Sequence, residues 1–107
     1  NQAHSLALIF NELVRNSIKY AYKDIEHLRI TMKINQDNAG IISINYRDNG
    51  SGFPDEVLER NRSGLGIDII DNMVSKNLQG KLTMFNNKGA VTEISFTNLN
   101  IERTDHD

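Results

Sequence analysis

LALIFNELVRNSIKYAY, residues 6–22, is the stretch whose pattern sets the architecture. On a helical wheel Leu6, Ile9, Phe10, Leu13, Ser17 and Ala21 share one broad face, at the i, i+3, i+4 spacing of a buried stripe. Glu12, Asn16 and Lys19 stand at i, i+4 and i+7 and stack in a second row, with Tyr20 between that row and the apolar face. The row borders the stripe instead of opposing it. A carboxylate, a carboxamide and an ammonium held beside a core are costly unless polar groups meet them. The arrangement reads as a binding row. A solvated helix face with weak i, i+4 pairs is the competing reading, and it stays open for Lys19 and Tyr20.

Downstream, Leu28, Ile30, Met32 and Ile34 alternate with polar residues, which predicts a half-buried strand. Asp37-Asn38-Ala39-Gly40 predicts a hairpin turn, and the returning strand places Ile42, Ile44 and Tyr46 on one face. One further step of that period carries Asp48 onto the same core-directed face. Two readings are open for its carboxylate: a cap for the turn that follows, or a contact to a bound molecule. Gly50 and Gly52 then allow close backbone approach. Pro54 opens a short helix predicted over Asp55 to Arg60, and Asn61-Arg62-Ser63 links it to the next. Gly64-Leu65-Gly66 starts that second helix, whose buried face is Ile67, Ile70, Met73, Val74 and Leu78, with Gly80 at its exit. Strands over Lys81 to Asn86 and Val91 to Thr97 meet at a turn, Asn87-Lys88-Gly89. Thr92 shares a face with Ile94 and Phe96, a polar residue in line with the core, although plain strand structure also accounts for a threonine there. The order helix, two strands, two helices, two strands predicts an α+β fold. It is a two-layer sandwich with helices on one face of a mixed, mostly antiparallel sheet.

A chain of 107 residues suffices for one domain with a modest core. With 38% hydrophobic and 24% charged residues it is globular and not disordered. The net charge of −2 and scattered basic residues give no electrostatic footprint for nucleic acid. Absence of cysteine excludes disulfides, thiol catalysis and Cys-ligated metal. The histidines have no metal-ligand spacing. No apolar run approaches a membrane span, and no signal peptide is visible. The chain starts at Asn1 inside a helical pattern without an initiator Met, so residues 1–107 read as a single domain excised from a longer protein, with a frayed tail over 98–107.

Three of these features occur together in one known family. The stretch Asn11-Glu12-Leu13-Val14-Arg15-Asn16-Ser17-Ile18-Lys19-Tyr20-Ala21 resembles the Asn box of the ATP-binding domain of sensor histidine kinases. Asp48-Asn49-Gly50-Ser51-Gly52 resembles its first glycine box, and Gly64-Leu65-Gly66 its second. That domain shares the Bergerat fold with DNA gyrase, the heat-shock chaperone ATPase and the mismatch-repair ATPases. The resemblance runs from about Ala3 to Phe96, with the boxes in the family's order.

The resemblance implies roles residue by residue. Asp48 would accept a hydrogen bond from the adenine amino group, and Gly50 and Gly52 would let the loop pack on the nucleotide. Asn16 would offer its carboxamide oxygen to Mg²⁺, a hard ion that also takes phosphate oxygens and water. Lys19 would neutralise phosphate charge, and Tyr20 would lie against base or ribose. Glu12 stands where the ATPase branches keep a water-activating carboxylate, and in kinases would support the Mg²⁺ shell. Gly64, Leu65 and Gly66 would bring backbone N–H groups to the phosphates. Thr92 would help fix the adenine.

The same likeness implies a cytoplasmic kinase domain that uses ATP and Mg²⁺, monomeric by itself. It would act on a histidine of a separate helical hairpin, with a response regulator downstream. The chain departs from the family in the short segment Phe53 to Ser63, which lacks a separate phenylalanine box, so the lid is small and a modest ATP affinity is expected. His4 begins the domain's own helix and is not assigned as phosphoacceptor. Two rival functions share the fold: a serine kinase of the anti-sigma-factor type, and a degenerate docking module.

Overall fold

The computed structural model describes residues 1–20, 25–59 and 66–99, with Ile25 described in its backbone alone. Helix α1 spans Gln2–Tyr20. It starts four residues before the apolar stripe does, because the Asn1 side chain accepts a hydrogen bond from the His4 N–H at 2.8 Å and caps the first turn. A 3-10 turn, Ile25–His27, precedes strands β1 (Ile30–Gln36) and β2 (Ile41–Asp48). Asp37 holds their turn, its carboxylate accepting from the N–H of Ala39 and of Ile41.

A single-turn helix, α2 (Asp55–Leu58), follows Pro54, and it is two residues shorter than predicted. Helix α3 (Ile67–Asn72) runs into a π turn over Met73–Asn77. Strands β3 (Lys81–Asn86) and β4 (Ala90–Thr97) complete the fold. The predicted positions Ala21, Tyr22, Arg60, Asn61, Arg62, Ser63, Gly64 and Leu65, and the tail beyond residue 99, lie outside the described residues.

The four strands form one sheet in the order β1-β2-β4-β3, and every pairing is antiparallel. The mixed element of the expected sheet is therefore not seen among the described strands. Register lines up the inward side chains in rows: Ile42 with Phe96, Ile44 with Ile94 and Leu82, Tyr46 with Thr92 and Met84. Helices cover this face. Ile9 and Leu13 of α1, Val57 of α2, and Ile67, Ile70 and Val74 of the α3 helix and its π turn are all within 2% of full burial. Each such aliphatic side chain contributes about 1.5–3 kcal/mol on leaving water. The opposite sheet face carries Lys33, Asn45, Glu93 and Thr83 in one row and stays polar.

Strand β1 departs from expectation. Its alternation is present, and Ile30, Met32 and Ile34 do pair with the inward residues Asp48, Tyr46 and Ile44. Yet all seven residues are exposed, Ile34 by 56%. It is an edge strand and the helical layer stops short of it. Across the fold, the Gln2 side chain donates to the Thr97 carbonyl at 2.8 Å and accepts from the Leu99 N–H at 3.3 Å, tying the start of α1 to the end of β4.

Candidate functional site

Alternation in β2 carries Asp48 inward at the end of the strand, where it is buried to 8% exposure. One carboxylate oxygen, Oδ1, accepts from the Gly50 N–H at 2.9 Å and the Ala90 N–H at 3.1 Å. The other, Oδ2, accepts from the Ser17 hydroxyl at 2.7 Å. The first of these bonds is the turn cap anticipated as one of two readings. It does not exhaust the group, since an ionised carboxylate offers about four acceptor positions and three are filled.

Asp48 shares a small pocket with Asn16, Tyr20, Phe53 and Thr92, floored by Leu13. Three of its polar atoms, Asn16 Nδ2, Tyr20 Oη and Thr92 Oγ1, are buried without a hydrogen-bond partner among the described residues. Buried polar atoms are seldom left unmatched, so a concentration of three in one apolar-walled pocket marks a site for a ligand with donors and acceptors of its own. Burial pushes the Tyr20 phenol above its ordinary value, with the Glu56 carboxylate acting in the same direction. A wider groove lies on the open sheet face between Lys33 and Lys81, but its central carboxylate, Glu93, is already bonded to the Asn45 amide at 3.2 Å.

The helical row divides as it reaches the last turn of α1. Asn16 is buried and Glu12 has a side chain only 15% exposed, loosely paired with Arg15 at 3.6 Å. Lys19 is exposed to solvent and Tyr20 half-buried. Gly66 caps α3 in the left-handed conformation, φ 70°, and a side chain there would run into the Glu12 carboxylate. Glu12 and Gly66 are thus neighbours. Gly64 and Leu65 fall outside the described residues.

Among the described residues no cluster of three His, Cys, Asp or Glu could hold a metal. An ion here would rest on Asn16 and Glu12 together with ligand oxygens and water, a donor set that suits Mg²⁺.

Several residues that shape the pocket carry no signal in the periodicity. Ser17 sits in the apolar stripe of α1 yet bonds Asp48, and its Oγ lies 2.9 Å from the Tyr46 hydroxyl. A hydroxyl in line with a core-directed carboxylate was the available clue. Asn86, the last residue of β3, holds Phe53 by two bonds, accepting from its N–H at 2.7 Å and donating to its carbonyl at 3.0 Å. Nothing in its local sequence marks it.

A helix-borne polar row beside an inward strand carboxylate, with a glycine loop following that carboxylate, is the form of an ATPase/kinase nucleotide-binding domain. The chain belongs to the family described as "Histidine kinase-, DNA gyrase B-, and HSP90-like ATPase", which matches residues 1–102. Membership implies ATP as the ligand.

Solved structures give the same fold at low identity. The histidine kinase domain of the blue-light activated histidine kinase from Erythrobacter litoralis EL346 superposes with a TM-score of 0.78 and 20% identity, over 96% of this chain and 47% of that one. The nucleotide-free catalytic domain of histidine kinase ThkA gives 0.70 and 20%, over 88% and 66%. The mycobacterial sensor histidine kinase MprB gives 0.68 and 18%, over 88% and 70%. The chain spans about half the length of the first of these, and two thirds of the second. No curated protein matches it.

Proposed function

We propose that this domain binds ATP·Mg²⁺ and presents the γ-phosphate to a histidine on a helical hairpin outside it, as the cytoplasmic catalytic part of a two-component sensor kinase with a response regulator downstream. The observation that carries the reading is the Asp48 carboxylate, buried and braced, with one acceptor position unfilled beside three polar atoms that have no partner among the described residues. That acceptor suits the adenine amino group, with Thr92 and Tyr20 as further contacts to base or ribose.

Asn16 and Glu12 would hold Mg²⁺ against the phosphates, which supplies charge neutralisation there. Gly50 and Gly52 would let the loop pack on the nucleotide, the bare Gly66 leaves room for the Glu12 carboxylate, and Lys19, with its exposed ammonium, can swing to the phosphate tail. Phosphoryl transfer of this kind needs little from the protein beyond alignment and charge stabilisation. The domain alone should bind nucleotide as a monomer and take up no phosphate on its own histidines.

Calorimetric titration with a non-hydrolysable ATP analogue tests the reading. Binding should strengthen with Mg²⁺, and Asp48→Asn should weaken it by about 1.5–3 kcal/mol, the range for a hydrogen bond to a charged group. An unchanged dissociation constant in Asp48→Asn would remove that residue from the site. No heat at millimolar ligand, from folded protein, would overturn the nucleotide assignment itself.

A further inference from the structure

Asp48 receives a hydrogen bond from Ser17 Oγ, and a carboxylate can only accept, so the Ser17 proton is committed to it. Ser17 Oγ also lies 2.9 Å from Tyr46 Oη, and with its own proton spent the serine must be the acceptor of that bond. The direction of the chain is thereby fixed: the Tyr46 hydroxyl donates to Ser17, and the Ser17 hydroxyl donates to Asp48 Oδ2. Both side chains are buried, at 3% and 4% exposure, on different elements, α1 and β2. With Gly50 and Ala90 holding Oδ1, the carboxylate can neither rotate nor turn its last acceptor position elsewhere.

We infer that Ser17 and Tyr46 are positioning residues that set base selectivity: their hydroxyl relay locks the Asp48 carboxylate so that its one unfilled acceptor reads a base carrying an exocyclic amino group and rejects one carrying a carbonyl in that place. This rests on the nucleotide reading of the pocket and goes beyond it by assigning two residues and a specificity. An unlocked carboxylate would have rotational freedom to lose on binding. It could also turn away from a mismatched carbonyl or admit a bridging water, both of which weaken discrimination. A relay of hydroxyls has no direct contact to make with phosphate or metal, so its removal should be felt at the base alone.

The experiment compares non-hydrolysable ATP and GTP analogues by titration against the wild-type chain, Ser17→Ala, Ser17→Thr and Tyr46→Phe, with folding checked by thermal melting. Ser17→Ala should lose about tenfold in affinity for the ATP analogue, at the low end expected of a charge-assisted bond, while affinity for the GTP analogue holds. The preference between them should collapse accordingly. Ser17→Thr, which keeps the hydroxyl, should restore it. Tyr46→Phe should show a smaller loss in the same direction, and serves as the independent variant if Ser17→Ala does not fold. Wild-type selectivity in a folded Ser17→Ala or Tyr46→Phe would overturn the relay while leaving the nucleotide site standing. A wild-type chain that binds neither analogue would overturn both.

Discussion

Gly89 is buried with φ 132°, and a methyl group in place of its hydrogen would meet the Asp48 carbonyl oxygen and the backbone of Asn49. The β3–β4 turn is thus pressed onto the main chain that carries the pocket carboxylate, and neither partner is a side chain that could swing aside. Gly89→Ala should destabilise by more than the roughly 1–3 kcal/mol of the backbone conformation alone. A melting temperature within a degree of wild type would show that the turn can yield. Tyr46 gives a second prediction at this scale. Burial pushes its phenol above the ordinary 10.0, and the Asp48 carboxylate adds to the rise. The folded chain then holds this proton more tightly than the unfolded chain does. The stability tied to it is whole below pH 10 and falls as pH climbs from there through the folded-state value. Urea midpoints measured from pH 8 to 11 should decline more steeply in wild type than in Tyr46→Phe. Parallel declines would clear Tyr46 of the effect.

Between elements, the loop from β2 to α2 is pinned at both ends, by the Gly50 N–H on Asp48 and by the two bonds from Asn86 to Phe53. Asn86→Ala should leave the Phe53 N–H and carbonyl unmatched, costing about 1–3 kcal/mol locally. Amide exchange at Phe53 should accelerate while Val91 and Ile94 in β4 keep their protection; equal protection at Phe53 in the variant would rule the clamp out. These contacts also explain what the sequence could and could not tell. The stripe of α1 and the inward step to Asp48 follow from periodicity, which depends only on neighbours in sequence, and both were legible. Alternation likewise identified the apolar side of β1, but whether anything lies over that side depends on where the helices end, so Ile30, Met32 and Ile34 were expected half-buried and are exposed. The meeting of Gly66 with Glu12, the Asn86 clamp and the Ser17 bond join distant segments. No local pattern records such pairs, and periodicity alone makes Ser17 simply a member of the stripe.

At the level of the whole molecule, the sheet order leaves β1 on an edge with its apolar side chains exposed. Strand β1 offers Ile30, Met32 and Ile34 on one face and, among the described residues, no strand partner along its outer side, the combination that promotes edge-to-edge association. The double substitution Met32→Thr, Ile34→Thr keeps strand propensity and removes apolar surface. It should move the melting temperature by only a few degrees, as exposed substitutions do, and lower light scattering at high concentration without altering nucleotide affinity. A loss of ten degrees or more would mean that these side chains are covered in solution.

The bonds from Gln2 to Thr97 and Leu99 have a topological meaning as well. They bring the first and last described elements to one seam, so the path of the backbone is nearly a closed ring. A ring can be cut anywhere its chain is not needed. A short linker across the seam and a new opening in the β1–β2 turn, at Asn38-Ala39, would preserve every strand pairing and leave both walls of the pocket continuous. The described fold is in this sense a loop of chain with its seam at Gln2 and Leu99, and moving the opening to the β1–β2 turn should leave its interior as it is.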